Sequence, residues 1–255
     1  MKAQPDAETL LKNSDAAVKK YTQLHYTFQY KERMRGKGIV VGEMEMKVIE
    51  GPNKLVWVDA FKPEKAQLIW GKNADGKVNV KKGFLKLTLA PFNNQLMKNS
   101  HHPIYRAGFQ RTRDIIMQTY RERKADVNEM VKIKGSVTFD GKDCWNVVLT
   151  DSKYQIVDYV VKEGDNLVSI AEAKAIPEMR ILELNPKVKG YFGLTAGETI
   201  KIPTSYGKVT TIYVDKATWL PLYQKIEDDL GLFVEYKHIN LDLNPGLTDA
   251  DFEWQ

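Results

Sequence analysis

The feature that most limits what this chain can fold into is an interruption. Short runs of alternating apolar and polar residues, the period-two mark of half-buried strands, extend from Tyr26 to Leu89 and again from Met130 to Thr150. They stop after Thr150 and return at Lys208. Tyr26, Phe28 and Tyr30 alternate with polar neighbours, and Val40, Gly42, Met44 and Met46 share one side of the run Ile39 to Ile49. Leu55–Phe61, Ala66–Trp70, Val78–Lys81 and Phe84–Leu89 are shorter runs, parted by turn sequences such as Gly51-Pro52-Asn53 and Asn73-Ala74-Asp75-Gly76. Asp140-Gly141-Lys142 and Asp228-Asp229-Leu230-Gly231 read as hairpin turns. Strands spaced this closely predict an antiparallel meander, not βαβ units. Asp143–Thr150 and Lys208–Asp215 are expected to be sheet neighbours, with the interruption on their connection. Such a place tolerates an insertion whose own ends lie close together.

Helical spacing occurs in two stretches outside the interruption. Ala7, Leu10, Leu11, Ser14, Ala17, Val18 and Tyr21 predict an amphipathic opening helix. Arg106–Lys124 is expected to be a second, with Tyr105, Phe109, Ile116 and Tyr120 near one face and arginines on the other. Phe92–Tyr105 is polar and aperiodic and reads as a loop.

Inside the interruption, Tyr159-Val160-Val161-Lys162 is a short strand, and Glu163-Gly164-Asp165-Asn166 is a turn that offers a helix N-cap. Leu167, Ile170 and Ala171 give one short helix its apolar face. Pro177 suits the first turn of another, which contains Ile181, Leu182 and Leu184 and ends at Asn185-Pro186. Ala196-Gly197 turns into Thr199-Ile200-Lys201-Ile202-Pro203. Residues 157–203 resemble the LysM family, on Gly164-Asp165-Asn166-Leu167, Ser169-Ile170-Ala171, Leu184-Asn185-Pro186, Leu194-Thr195-Ala196-Gly197 and Ile200-Lys201-Ile202-Pro203. The resemblance implies a βααβ module whose ends meet. It also implies binding of β-1,4-linked N-acetylglucosamine polymers, either peptidoglycan or chitin. Carried over, the sugar groove would be Gly164, Asp165, Asn166 and Leu167 on one side and Asn185, Pro186, Lys187 and Tyr191 on the other. Lys187–Gly193 is longer and more aromatic than the usual loop there. Tyr191 or Phe192 could stack on a sugar or pack on the rest of the chain.

The remainder, residues 2–156 and 204–255, resembles exported bacterial proteins of the lipoprotein-carrier (LolA-like) superfamily. The resemblance rests on the opening helix with long strands after it and on His102-Pro103-Ile104-Tyr105-Arg106-Ala107-Gly108. Val214-Asp215-Lys216-Ala217-Thr218-Trp219-Leu220-Pro221-Leu222 and Leu243–Phe252 add to it. It implies an α+β fold: a curved antiparallel half-barrel wrapped on helices, whose concave face can hold a lipid or a lipoprotein acyl chain. Met44, Met46, Trp57, Leu87, Phe109 and Ile116 are the candidate lining residues, against an ordinary packed core.

The expected function is thus a non-catalytic envelope protein that binds peptidoglycan through the module. The alternative is a periplasmic lipid or lipoprotein carrier in which the module is a structural or docking insert. Other classes find little support. No apolar run is long enough to span a membrane. Met1-Lys2-Ala3-Gln4-Pro5 lacks the apolar segment of a signal peptide, which leaves two readings: a cytoplasmic protein, or a mature periplasmic form with its signal peptide removed and Met1 added. The formal charge is +5, and the module, with six basic and seven acidic residues, contributes none of the excess. Nucleic acid is not an expected partner, because the basic helix Arg106–Lys124 has no stacking aromatics on its polar face. His101-His102 has no third ligand at metal-site spacing. Gly36-x-Gly38 has no helix after it, and nucleophile-elbow, zincin and P-loop patterns are missing. No metal or other cofactor is expected. The lone Cys144 sits in a strand-like run and reads as a buried thiol.

Overall fold

The computed structural model describes residues 3–254. Met1 lies outside the described residues, as do Lys2 and Gln255, the expected ends of the larger, host domain (2–156 and 204–255). Helix α1 (Ala7–Lys20) is started by Asp6, whose carboxylate accepts the Thr9 amide at 2.7 Å. Six strands follow: β1 (Gln23–Met34), β2 (Gly38–Ile49), β3 (Leu55–Lys62), β4 (Ala66–Trp70), β5 (Val78–Lys82) and β6 (Leu85–Leu89). A linking segment carries α2 (Asn94–Met97), a 3-10 turn at Ile104–Arg106, α3 (Gln110–Glu122) and α4 (Val127–Met130). The hairpin β7 (Val131–Phe139) and β8 (Lys142–Thr150) precedes the interruption, which holds β9 (Ile156–Val160), α5 (Leu167–Lys174), α6 (Glu178–Leu184) and β10 (Thr199–Pro203). β11 (Val209–Asp215), β12 (Pro221–Asp228) and β13 (Gly231–Leu243) complete the chain.

Eleven strands form one sheet in the order β6-β5-β4-β3-β2-β1-β13-β12-β11-β8-β7. Every pair is antiparallel, and β1 meets β13 at the centre, Tyr30 opposite Tyr236 and Phe28 opposite His238. The sheet is curved and open, an α+β half-barrel: β6 and β7 are its edges and do not pair with each other. Register shifts at His25/Thr27 and Ile133/Ser136 mark bulges, which bend a strand. β8 and β11 lie side by side, Thr150 opposite Val209. The interruption therefore leaves and re-enters the sheet at adjacent points, and the Asp151 amide donates to Lys208 O at 2.9 Å between them.

Strand parity decides which side chains face the helices. Met46 lies opposite Tyr26 and Val58, and Val58 opposite Leu68. These residues share the concave face with α1, α3 and α4. Trp57, one residue out of step, falls on the convex face. There it is buried with Ile69 and Phe252 under the C-terminal turn, and the Lys47 ammonium lies 4.9 Å from its ring centre.

Residues 92–105 are not simply a loop, since they hold α2 and the start of the 3-10 turn. The helix expected from Arg106 begins only at Gln110. Gly108 stands at φ +86°, outside the helical region, and its amide donates to Tyr26 Oη at 3.1 Å. Among the described residues no helix is long and apolar enough to cross a membrane.

Cys144 is fully buried on β8, and burial, followed by the nearby Asp215, pushes its thiol up to about 12. The thiolate is the reactive form. Iodoacetamide at pH 8 is therefore expected to leave Cys144 untouched in the folded protein and to alkylate it after urea unfolding. Mass spectrometry reads the difference, and rapid labelling of the native protein would contradict the burial.

Candidate functional site

Two regions have the concavity or the motifs of a site. The first is the module. β9 and β10 pair antiparallel, from Thr199 opposite Val160 to Pro203 opposite Ile156. Asn166 starts α5 through a reciprocal cap: its Oδ1 accepts the Ser169 amide at 3.0 Å, and Ser169 Oγ accepts the Asn166 amide at 3.0 Å. Pro177 is the N-cap of α6, one place before the expected first turn. Leu167, Ile170, Ile176, Ile181, Ile200 and Ile202 fill the module's interior.

Most of the side chains proposed for the sugar groove have structural partners. Asp165 caps no helix. Its Oδ2 accepts the Lys162 amide at 2.9 Å and the Tyr159 hydroxyl at 2.7 Å, contacts that hold the carboxyl below its usual range. Asn185 ties α6 to β10, donating to Ile181 O and Lys201 O and accepting the Lys201 amide at 2.9 Å. Leu167 is fully buried, and its amide donates to Tyr191 O at 2.9 Å. Tyr191 is buried too, its ring centre 4.9 Å from that of Phe92 in the host, so it takes the packing role; Phe192 stays exposed. Gly164, Pro186 and Lys187 are exposed, while Asp165 and Asn166 are half-buried. Arg35, from the β1–β2 turn, donates to Val188 O at 3.1 Å and to Pro186 O. The second groove loop is thereby clamped by the host.

The module is also braced along α6. Glu178, Met179, Arg180, Ile181 and Leu182 are all buried. Arg180 reaches Asp229 at 2.8 Å, Glu183 at 3.1 Å and Asp228 at 3.3 Å. Arg33 of β1 bridges Glu183 at 3.0 Å and Asp228. Arg106 Nη2 lies 2.7 Å from Glu178 and 3.0 Å from Glu172. One apolar cluster crosses the boundary, containing Met34, Met97, Ile226 and Phe233 of the host with Leu167, Ile181, Leu182 and Tyr191 of the module.

A family model decides what this unit is. Residues 159–203 match the LysM domain. The matched span begins inside β9 and ends with β10, so the LysM domain accounts for the interruption and not for the sheet. No curated protein matches the chain by sequence. Among solved structures, the chain is similar to LprF from Mycobacterium bovis, with TM-score 0.47, 14% identity and 96% of each chain covered. It is also similar to the lipoprotein LppX of Mycobacterium tuberculosis, with TM-score 0.44, 12% identity, and 96% of this chain and 99% of that one covered. The MucA/MucB complex of Pseudomonas aeruginosa gives TM-score 0.47 at 10% identity, covering 98% of this chain. The present chain spans 62% of that chain's length.

The second region is a cavity of about 350 Å³ between the concave face and the segment that precedes and includes α3. Met44, Met46 and Ile116, expected as lining residues, do line it; Trp57, Leu87 and Phe109 do not. Trp57 has the wrong parity. Leu87 is half-exposed on the edge strand β6, and its neighbour Leu89 reaches the wall instead. Phe109 is buried behind the wall, 4.5 Å from the His238 ring and 6.4 Å from Tyr26. Phe28, Val58, Leu68 and Ile104 are among its other apolar lining residues. At the exposed rim, Glu64 bridges Lys82 at 2.6 Å and Lys98 at 2.5 Å, and these two lysines hold its carboxyl down at about 2.

Sequence reasoning missed the polar wall of this cavity. Glu32 accepts the Tyr236 hydroxyl at 2.7 Å and the His101 amide at 2.8 Å, and burial raises its pKa. His102 Nε2 meets the Tyr206 hydroxyl at 3.0 Å. The two adjacent histidines diverge, since His101 Nε2 instead meets Arg33 O at 2.8 Å. Arg106, Arg111 and Gln224 also line the cavity. Within His102–Gly108, every residue except Tyr105 lines the cavity.

Burial pushes the pKa of His101, His102 and His238 down, His238 to about 4. All three are held neutral in the fold, while the unfolded chain protonates near 6.5. Their contribution to stability is fully present above pH 6.5 and is lost as pH falls below it, for His238 down to about 4. Glu32, raised by burial, works in the opposite sense. Thermal melts are expected to show the melting temperature dropping from pH 6.5 to 4, and His238→Phe is expected to flatten the drop. Equal slopes for the two proteins would refute this assignment.

Proposed function

We propose that this protein is a non-catalytic binding protein on the periplasmic side of the cell envelope. It holds an acyl chain in the half-barrel cavity and carries a LysM module that contacts N-acetylglucosamine glycan. The cavity carries the reading. A concave, mostly apolar space with a few convergent polar groups is the usual form of a small-ligand site, and the flexible side chains of Met44 and Met46 suit it to variable chains. Native mass spectrometry of the full chain tests it. The expected spectrum shows protein with a co-purified amphiphile that organic extraction removes. A single bare mass, with no uptake of added fatty acid or phospholipid, would overturn it.

The glycan part rests on the LysM match and on the exposed first loop around Gly164. The chain is expected to pellet with purified peptidoglycan. If it stays in the supernatant while a control LysM protein pellets, the module is a docking brace only. The buried α6 and the Arg35 clamp favour that second reading.

A further inference from the structure

The polar wall of the cavity has an imbalance that points to its ligand. Arg111, on α3, is half-buried and lines the cavity, and its buried Nε and Nη2 have no hydrogen-bond partner among the described residues. A guanidinium keeps its charge at any ordinary pH, and a buried charge without a counter-charge is strongly disfavoured. Other arginines drawn into this fold have carboxylates: Arg33 has Asp228 and Glu183, Arg113 has Asp15, Arg123 has Asp151, and Arg180 has Asp229. Arg106, with only 5% of its side chain exposed, pairs through Nη2 with Glu172 and Glu178, yet its buried Nη1 has no hydrogen-bond partner among the described residues. Gln224 accepts the Thr112 hydroxyl at 3.2 Å, while its amide nitrogen is buried with no hydrogen-bond partner among the described residues. The carboxylates on the same wall are already engaged: Glu32 by Tyr236 and His101, Asp151 by Arg123 and the Lys153 amide. The cavity thus offers donors and, among the described residues, a guanidinium with no carboxylate in ion-pair reach, with the apolar strand surface of Met44, Met46 and Val58 also lining it.

We infer that the cavity takes a single-chain amphiphile with an anionic head, its carboxylate or phosphate on Arg111 with Arg106 Nη1 and Gln224 Nε2, and its chain along β2 and β3. This rests on the acyl-cavity reading and names the ligand class for it. The volume agrees with one chain rather than several, since about 350 Å³ is near the small end of the roughly 300–1,000 Å³ of ligand pockets. A planar guanidinium also suits either oxyanion through paired hydrogen bonds.

The test uses the full chain, delipidated, with displacement of a neutral pyrene-labelled fatty alcohol as readout. Palmitate, palmitoyl lysophosphatidate and methyl palmitate are the competitors. One or both of the anionic competitors is expected to displace the label at about ten- to hundred-fold lower concentration than the ester, and whichever does so names the head. Arg111→Gln is expected to erase that preference and leave ester displacement unchanged; Arg121→Gln, on the exposed part of the same helix, is expected to keep it. Equal displacement by acid, phosphate and ester in the unaltered protein would overturn the inference without touching the acyl reading, and that comparison does not depend on any variant folding. A preference that survives Arg111→Gln would also overturn it. Displacement by none of the three would remove the acyl reading, and this inference with it.

Discussion

Excising residues 157–203 and joining Ile156 to Thr204 is expected to abolish cooperative folding of the remaining sheet. The ends would join easily, because β9 and β10 pair throughout and return the chain beside its point of departure. The loss comes from the shared core. Met34, Met97, Ile226 and Phe233 are buried in a cluster that includes Leu167, Ile181, Leu182 and Tyr191. Re-exposing a buried side chain of this size costs about 1.5–3 kcal/mol, and four of them approach the roughly 5–15 kcal/mol by which a domain is stable. Arg33, Arg35 and Arg106 would lose their carboxylate or carbonyl partners in the module as well. The excised chain is expected to give a broad urea transition and to aggregate. A sharp transition near that of the full protein would show that the host does not depend on the module.

The second large effect is expected from Asp228→Ala. Asp228, whose side chain is 2% exposed, ends β12 and lies between Arg33 and Arg180. It also accepts the Leu230 amide at 2.8 Å in the hairpin turn. Removing the carboxylate leaves two guanidinium groups facing each other with only Glu183 and Asp229 to balance them. Breaking one member of a buried ion network costs about 3–5 kcal/mol, several times the value of an exposed pair. Chemical denaturation should show a lower midpoint with an unchanged slope. A loss below about 1 kcal/mol would mean that the network is solvated in practice. The double change Arg180→Met with Asp228→Leu is expected to recover part of the loss, since apolar replacement of a whole buried pair is often tolerated.

The strands were legible because burial on one face imposes a period of two, and the neighbours β8 and β11 were legible because the pattern resumes where it stopped. The LysM segment was legible because its cap at Asn166, its Asn185-Pro186 stop and its Ile200 and Ile202 strand are local requirements. The cavity lining was legible only in part. Residue type alone groups Trp57 with Met44 and Met46, whereas the register Met46 opposite Val58 sends Trp57 to the far side. That register depends on the length of the β2–β3 turn and on a bulge at Glu43/Met44, neither of which shows in alternation alone. The inward turn of Arg106 and Arg111 left no local sign either. On a helical wheel they belong to the polar face. Arg111 is half-buried because α3 lies across a curved sheet, and Arg106, in the 3-10 turn before it, is buried where Glu178, far along the chain, supplies a counter-charge.

A module hung on two flexible tails would swing freely, and whatever it gripped would say nothing about where the rest of the protein pointed. Here the module is tied through both β9 and β10, and Arg33, Arg35, Arg106 and the buried α6 brace it against the sheet. The consequence is geometrical. Any surface held by this module also fixes the direction in which the Lys82–Glu64–Lys98 rim opens, so that anchoring and aiming become a single event.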